Sequence, residues 1–360
     1  MAPLLDERAR ADALVARIQA AVTRPMALME VCGTHTMAIG HHGLRSRMPA
    51  GLRLVSGPGC PVCVTPAEDV DRAIAMAKEP GVIVATFGDM IKVPGTRGSL
   101  AKARSEGAQV QVVYSPLDAL RLAQDKPDHT VVFVGIGFET TTPTIAATML
   151  RARAAGVENF CVLPAFKVVP QAMEALVLSP QTDIDGFICP GHVTALIGVA
   201  PYLPLAEKYG VPCVVTGFEA LDILEGVAML VEQIAAGEAR VENQYKRAVP
   251  YEGNPKAMAI VDQVLQPCDA MWRGVGVIPG TGLEPRPEFA SMDARTRVPV
   301  EIPPPADLPK GCSCGAVMLG LLLPSECPLF GKACTPASAV GPCMVSSEGA
   351  CAAYYKYGGA

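Results

Sequence analysis

What this chain of 360 residues lacks narrows its class before any motif is read. It has no long apolar run: the longest candidate, AVMLGLLL at 316–323, is far short of the roughly 18–20 residues that a spanning helix needs. No export signal is expected either. The N-terminus, MAPLLDERARADALVARIQAAV, mixes acids and arginines at helical spacing where a signal peptide would carry an unbroken apolar stretch. A soluble, cytoplasmic protein with no membrane partner is expected, although half its residues are hydrophobic and its mean hydropathy is +0.30. A surplus of positive charge is missing too, since the net charge is −5 and the pI near 5.6, which argues against nucleic acid as the main partner. No G-x-x-x-x-G-K-S/T is present and the GIGFET run lacks the G-x-G-x-x-G pattern, so nothing supports nucleotide binding. No Ser-His-Asp arrangement can be assigned from spacing.

Cysteine is what the chain has in excess, with thirteen. In a reducing compartment thiols in such number more often bind metal or do redox chemistry than act as staples. Six fall in the last 49 residues: Cys312, Cys314, Cys327, Cys334, Cys343 and Cys351. Cys32, Cys60 and Cys63 sit in Gly/Pro-rich turns. Cys161, Cys189, Cys213 and Cys268 lie in or near apolar runs and read as small buried hydrophobes.

After an amphipathic helix over 6–23, short β-branched runs alternate with helical segments: ALMEV, RLVS, VIVATFG, VQVVY, TVVFVGIG, FCVLPAF, GFICPG and PCVVTGF. Continuous apolar strands separated by helices predict parallel sheets covered on both faces. So many strands exceed one compact sheet, and QDKPDH at 124–129 is read as the seam between two α/β units. The fold class is therefore α/β: two parallel-sheet domains plus a mainly helical, Cys-rich C-terminal domain. The expected domains are 1–124, carrying the N-terminal helix, Cys32 and the Cys60/Cys63 pair, then 125–245 and 246–360. A proline-rich crossing, VPVEIPPPADLPKG at 298–311, leads into the cysteine tail, whose broken segments fold poorly alone and invite a metal centre.

In open parallel sheets, functional groups gather where strands end. Cys32 is such a residue, between ALMEV and the turn CGTHT; His35 and the threonines beside it can hydrogen-bond the sulfur and favour thiolate. The bland reading is a structural cysteine with a satisfied histidine. Cys60-Pro-Val-Cys63 occupies a strand-to-helix turn, where helix amides lower a thiol pKa and the two-residue spacer permits a local disulfide. A zinc half-site is the rival, weakened because a second C-x-x-C is missing. The six tail cysteines suffice for a 4Fe-4S cluster with two left over, on irregular chain able to wrap an inorganic core, and structural zinc is the alternative. His192, after Pro190-Gly191, reads equally as functional or as a core imidazole.

Taken in order, CGTHTMAI, GPGCPVCVTP, TFGDMIKVPG, GFETTTPT, CPGHV, TGFEALDIL, NQYKRAV, WRGVGVIPGTG and the CSCGAVMLG…CPLFGKACTP…GPCMVSSEGACAAYYKYG tail resemble the HypD family of hydrogenase maturation proteins. The resemblance implies a scaffold on which the Fe(CN)2CO unit of nickel–iron hydrogenase is built, working with a small HypC-type chaperone and a HypE-type cyanide donor before transfer to the hydrogenase large subunit. It implies that Cys32 holds the iron with His35 beside it, and that Cys60 and Cys63 form a redox-active pair. The family's tail is similar to the cluster environment of ferredoxin:thioredoxin reductase. That likeness puts a 4Fe-4S cluster on Cys312, Cys327, Cys334 and Cys351 and leaves Cys314 and Cys343 as a second redox pair. The competing expectation is a free-standing iron–sulfur thiol–disulfide reductase; whether the chain is an enzyme in the ordinary sense is left open by its residues.

Overall fold

The structure, a computed structural model, describes residues 2–302, 304 and 308–358, with only the backbone of 2–5. Among these the strands are β1 (Met26–Glu30), β2 (Leu52–Ser56), β3 (Val82–Thr86), β4 (Val110–Val112), β5 (Thr130–Gly137), β6 (Phe160–Phe166), β7 (Gly186–Pro190), β8 (Cys213–Thr216), β9 (Val241–Asn243), β10 (Leu265–Trp272) and β11 (Gly276–Pro285). The eight expected runs are β1 to β8. Most are buried along nearly their whole length, as parallel strands covered by helices must be. The N-terminal helix runs Ala2–Ala21 and packs on the helix Ala220–Ala235.

The strands form two parallel sheets, ordered β2-β1-β7-β8-β9 and β4-β3-β5-β6. Sheet membership does not follow the expected seam. The chain starts the first sheet with β1 and β2, builds the whole second sheet, then returns through β7, β8 and β9, so the segment at 124–129 lies inside the second sheet. Each sheet has one switch point, where the chain turns back past its first strand: between β1 and β7 in the first, between β3 and β5 in the second. Ligand sites in such sheets form in the crevice beyond the carboxyl ends of the strands at this point.

β9 and the antiparallel hairpin β10–β11 were not foreseen. Pro267, Pro279 and four glycines between Gly274 and Gly282 interrupt the apolar pattern there, and the ladder itself slips between Cys268 and Ala270. The hairpin joins the two sheets. Trp272, the chain's one tryptophan, is fully buried, stacks on Phe138 at 6.2 Å and donates its indole N–H to the Thr281 hydroxyl at 2.8 Å. The Arg273 amide bonds the Val64 carbonyl at 2.9 Å and its guanidinium the Pro94 carbonyl at 2.8 Å.

Cys161, Cys189 and Cys213 are buried as expected, whereas Cys268, on the interrupted hairpin, is half-buried. The cysteine tail has short helical turns, Cys314–Met318 and Pro342–Val345, and a longer helix, Ala350–Tyr357. Its core is not separate: Cys314, Met318, Cys334, Cys343 and Cys351 pack in the same apolar cluster as Met29 of the first sheet, Ile136 of the second and Trp272. Of the proline-rich crossing, residues 303 and 305–307 lie outside the described residues. No described helix is long and apolar enough to cross a membrane.

Candidate functional site

β1 ends at Glu30, and Cys32 stands as N-cap of the helix Gly33–His41 with extended backbone (φ −150°, ψ 123°). The helix amides of Thr34 and His35 turn toward its sulfur and draw the thiol down. Burial outweighs them and pushes it up to about 11, with the Glu348 carboxylate adding to the rise. The expected thiolate is therefore not the resting form of the isolated thiol. The His35 ring does not serve the sulfur: it is fully buried with Nε2 3.0 Å from the Gly217 carbonyl and 2.9 Å from the Thr216 hydroxyl. Burial, opposed by those bonds, lowers it to about 4, so it is neutral at pH 7, and its Nδ1 has no hydrogen-bond partner.

His35 instead begins a stack. Its ring lies 4.6 Å from Phe218, and Phe218 lies 4.0 Å from His192 on its way out to solvent. His192 follows β7 and Cys32 follows β1, the two strands that flank the first switch point. His192 is thus an exposed residue of this crevice rather than a core imidazole.

Beneath Cys32 lies a carboxyl that reads in the sequence as one more strand residue. Glu30 is fully buried; it accepts from the Thr36 hydroxyl at 2.6 Å and from the Cys32 amide at 3.4 Å. Burial pushes it up to about 7 in spite of those bonds and the nearby Arg45 charge.

Cys60 and Cys63 are joined as a close disulfide pair around the turn Pro61–Val64, with Cα atoms 5.2 Å apart. Their loop lies against Cys32 through glycine: the Gly33 amide donates to the Gly59 carbonyl at 3.0 Å, and a side chain on Gly59 would strike the Cys32 amide. A third segment closes on the same spot. A Cβ on Gly33 would stand 2.5 Å from both Cβ and carbonyl oxygen of Glu348, whose carboxylate accepts from the Thr34 hydroxyl at 3.1 Å. A narrow crevice lined by Gly33, Gly59, Cys60, Cys63, Cys343 and Glu348 runs from this meeting point into the tail. The second sheet's switch point opens beside it, where a cleft of about 230 Å³ is lined by Phe87, Asp89, Ile136, Thr141, Ser346 and Glu348. The two crevices share Glu348 and border the Cys60–Cys63 turn from either side, next to Gly33, the neighbour of Cys32.

Five tail sulfurs gather behind it. Cys312 and Cys314 are 3.2 Å apart, and Cys343 lies close enough to Cys314 and Cys351 for their thiols to titrate together. The Cys334 sulfur accepts the Val340 amide at 3.4 Å. Shared protons raise Cys312 and Cys343, first through Cys314, and pull Cys351 below the ordinary thiol range, first through Cys314 and then Cys343. Gly341 backs the group, since a Cβ there would stand 2.6 Å and 2.7 Å from the sulfurs of Cys312 and Cys314. Cys327 is half-buried and not in contact with these sulfurs by any described hydrogen bond. Among the described residues no three His, Cys, Asp or Glu are set out to hold a single ion. The donors gathered here are several thiols on broken chain, backed by glycine, with no cationic or carboxylate group bonded among them in the described residues, a set whose softness suits thiophilic metal.

Of the residues singled out in the sequence, the structure sets Cys32 beside the Cys60/Cys63 loop, His192 on the same strand-end crevice, and five of the six tail thiols together. Glu30, Phe218 and Glu348 were missed in the sequence. The signal for the last two was slight: the recurring Gly-Phe at the ends of apolar strands, and one acid among small residues in SSEG.

The chain matches the family described as "HypD: Hydrogenase formation hypA family" over residues 9–358. It is 46% identical to hydrogenase maturation factor HypD of Azotobacter vinelandii, covering 97% of this chain and 94% of that one. It is likewise 46% identical to hydrogenase maturation factor HypD of Escherichia coli (strain K12), over 93% and 90%. A hydrogenase expression/formation protein HupD of Azotobacter chroococcum mcd 1 is 47% identical over 97% and 94%.

Proposed function

The chain belongs to the HypD family, and from that membership we propose that it is a hydrogenase maturation factor that serves as the scaffold for assembly of the Fe(CN)2CO group. In this reading it works with a HypC-type chaperone and a HypE-type cyanide donor, and the finished group passes to the large subunit of a nickel–iron hydrogenase. The observation that carries the reading is the meeting of three chain segments at Cys32: its own turn, the Cys60/Cys63 loop and the Glu348 segment.

The iron is cargo here, and Cys32 is its ligand from this chain. A soft anionic sulfur suits an electron-rich iron carrying cyanide and CO. A free thiol pushed up to about 11 stays protonated at neutral pH, so iron enters by displacing that proton. The neutral His35, held by Gly217 and Thr216, fixes the floor of the site through Phe218 and His192, while the Glu348 carboxylate faces the sulfur from the tail side. The Cys60/Cys63 disulfide is assigned as a redox pair that exchanges with a dithiol beside the cargo. The tail thiols fit a resident 4Fe-4S cluster, assigned to Cys312, Cys327, Cys334 and Cys351 with Cys314 and Cys343 left over; when bound it would supply electrons one at a time.

A free-standing thiol–disulfide reductase is the weaker reading. Cys60 and Cys63 are 5% and 1% exposed, which leaves no face for a protein disulfide to approach, and Cys32 has no task in such an enzyme. The deciding experiment is anaerobic co-purification of wild type and Cys32→Ala with the HypC-type partner, read by infrared and visible spectroscopy. The variant should lose the CO and cyanide bands and keep the brown chromophore; bands that survive in it overturn the scaffold role of Cys32.

A further inference from the structure

A second polar cavity, of about 200 Å³, lies beside the edge strand β6, between the start of the helix Ala67–Lys78 and the hairpin β10–β11. Its lining includes Asp69, Arg72, Phe166, Lys167, Cys268 and Arg295. Lys167 follows the carboxyl end of β6 and is 3% exposed. Among the described residues its ammonium has two hydrogen-bond acceptors, the carbonyls of Ala165 and Phe166 at 3.5 Å and 3.4 Å, and no acid within ion-pair distance. These bonds are long against the usual 2.9–3.0 Å or so. A buried ammonium so weakly served is costly unless an anion joins it.

Among the described residues the other charges of the cavity, Asp69 apart, have partners: Asp269, on the hairpin side, accepts the Gly280 amide at 3.0 Å, and the arginines are held in ion pairs. Arg72 pairs with Glu68 at 2.9 Å, and Arg295 pairs with Glu284 at 3.0 Å and Asp293 at 2.6 Å. Among the described residues Asp69 has no ion pair within 4 Å; burial pushes its carboxyl up, and the Lys167 charge across the gap is the main influence holding it down. Asp69 stands in the first turn of a 12-residue helix whose N-cap, Pro66, offers no side-chain cap. The cavity thus presents a cationic donor and an acidic acceptor that make no ion pair with each other, beside a helix start with no side-chain cap.

A ligand that completes both needs oxygen acceptors at one end and an acidic proton at the other. We propose that this cavity binds a small protonated oxyanion of the hydrogen-phosphate type, free or as a monoester, with its oxygens on the Lys167 ammonium and its P–O–H donated to the Asp69 carboxylate. Sulfate has the same size and shape but no proton at neutral pH. Its lone pair would meet the carboxylate head-on, and a site built around a hydroxyl donor rejects the analogue that lacks it.

The test is calorimetric titration of the full-length protein at pH 7 with inorganic phosphate, methyl phosphate and sulfate. Phosphate should bind at least about tenfold more tightly than sulfate. Methyl phosphate binding as tightly as phosphate or tighter assigns the cavity to a monoester, and weaker binding assigns it to the free ion. Lys167→Met should lose phosphate binding, and Asp69→Asn should erase the preference over sulfate, with both variants checked for an unchanged melting curve. Absence of phosphate binding to the wild type, equal binding of phosphate and sulfate, or a preference that survives in folded Asp69→Asn overturns the proposal. The wild-type phosphate-to-sulfate comparison decides even where a variant fails to fold.

Discussion

Gly33→Ala puts the convergence at Cys32 under direct strain. Gly33 is the first residue of a helix, where alanine in place of glycine ordinarily stabilises by up to about 1 kcal/mol. Against that gain stands the tail: the new methyl would lie 2.5 Å from the Cβ and the carbonyl oxygen of Glu348. Neither side can yield cheaply. The Glu348 amide is bonded to the buried Ser346 hydroxyl at 3.2 Å, the next residue, Gly349, sits against the Cys343 backbone, and Gly33 itself is tied to Gly59. Overpacking of this kind costs about 1–3 kcal/mol, so the net effect is destabilising by about 1–2 kcal/mol. For a chain of this length that is a drop of about 1–3 °C in the unfolding midpoint. The assay is thermal unfolding followed by circular dichroism, beside Gly98→Ala, whose added carbon meets only the Lys102 side chain at 3.5 Å and should leave the midpoint unchanged. Because the displaced atoms flank Cys32, the same variant should also fail to support hydrogenase maturation in cells. A midpoint at or above that of the wild type, with full maturation, would mean that the tail does not close on Cys32, and the reading of the site would go with it.

Gly341→Ala should lower the iron and sulfide content of anaerobically purified protein, because its methyl would crowd the sulfurs of Cys312 and Cys314; unchanged content and colour would refute a cluster seated there. Burial pushes Glu139 up to about 7, so the folded state keeps its proton between about pH 4.5 and 7 and the stability it contributes is lost as pH rises through 7. Glu139→Gln, which keeps an acceptor for the Val169 amide, should gain on the wild type by up to about 3 kcal/mol between pH 5 and pH 8, read as a widening difference in denaturant midpoints; a constant difference would refute the assignment.

How much of this was legible in the chain depended on the periodicity of each part. β5 and β6 were plain because a strand buried on both faces must be apolar throughout, and no other short segment needs that. Their partition into sheets was not. The crossover from β2 to β3 leaves one sheet for the other, that from β1 to β2 stays within it, and both read as strand, helix, strand. The site divides in the same way. Cys32, Cys60 and Cys63 were legible because glycine flanks mark backbone packed too closely for a side chain, as Gly33 and Gly59 prove to be. The direction of the His35 ring was invisible, because it is fixed by Thr216 and Gly217, far off in the chain and adjacent only once β8 is laid beside β7. Glu30 was hidden for the opposite reason: an acid at a strand end reads as solvated, and only its full burial beneath Cys32 reveals a group that shapes the site. In the tail the number of thiols was legible and their grouping was not, since irregular chain has no period to read. The contacts run from Cys312 to Cys314 and on to Cys343 and Cys351, so neighbours in space cut across the division into four ligands and a pair that the resemblance implies. Single Cys314→Ser and Cys327→Ser variants, compared by iron content, separate the two groupings: a cluster on the resemblance's four cysteines survives the first and is lost in the second.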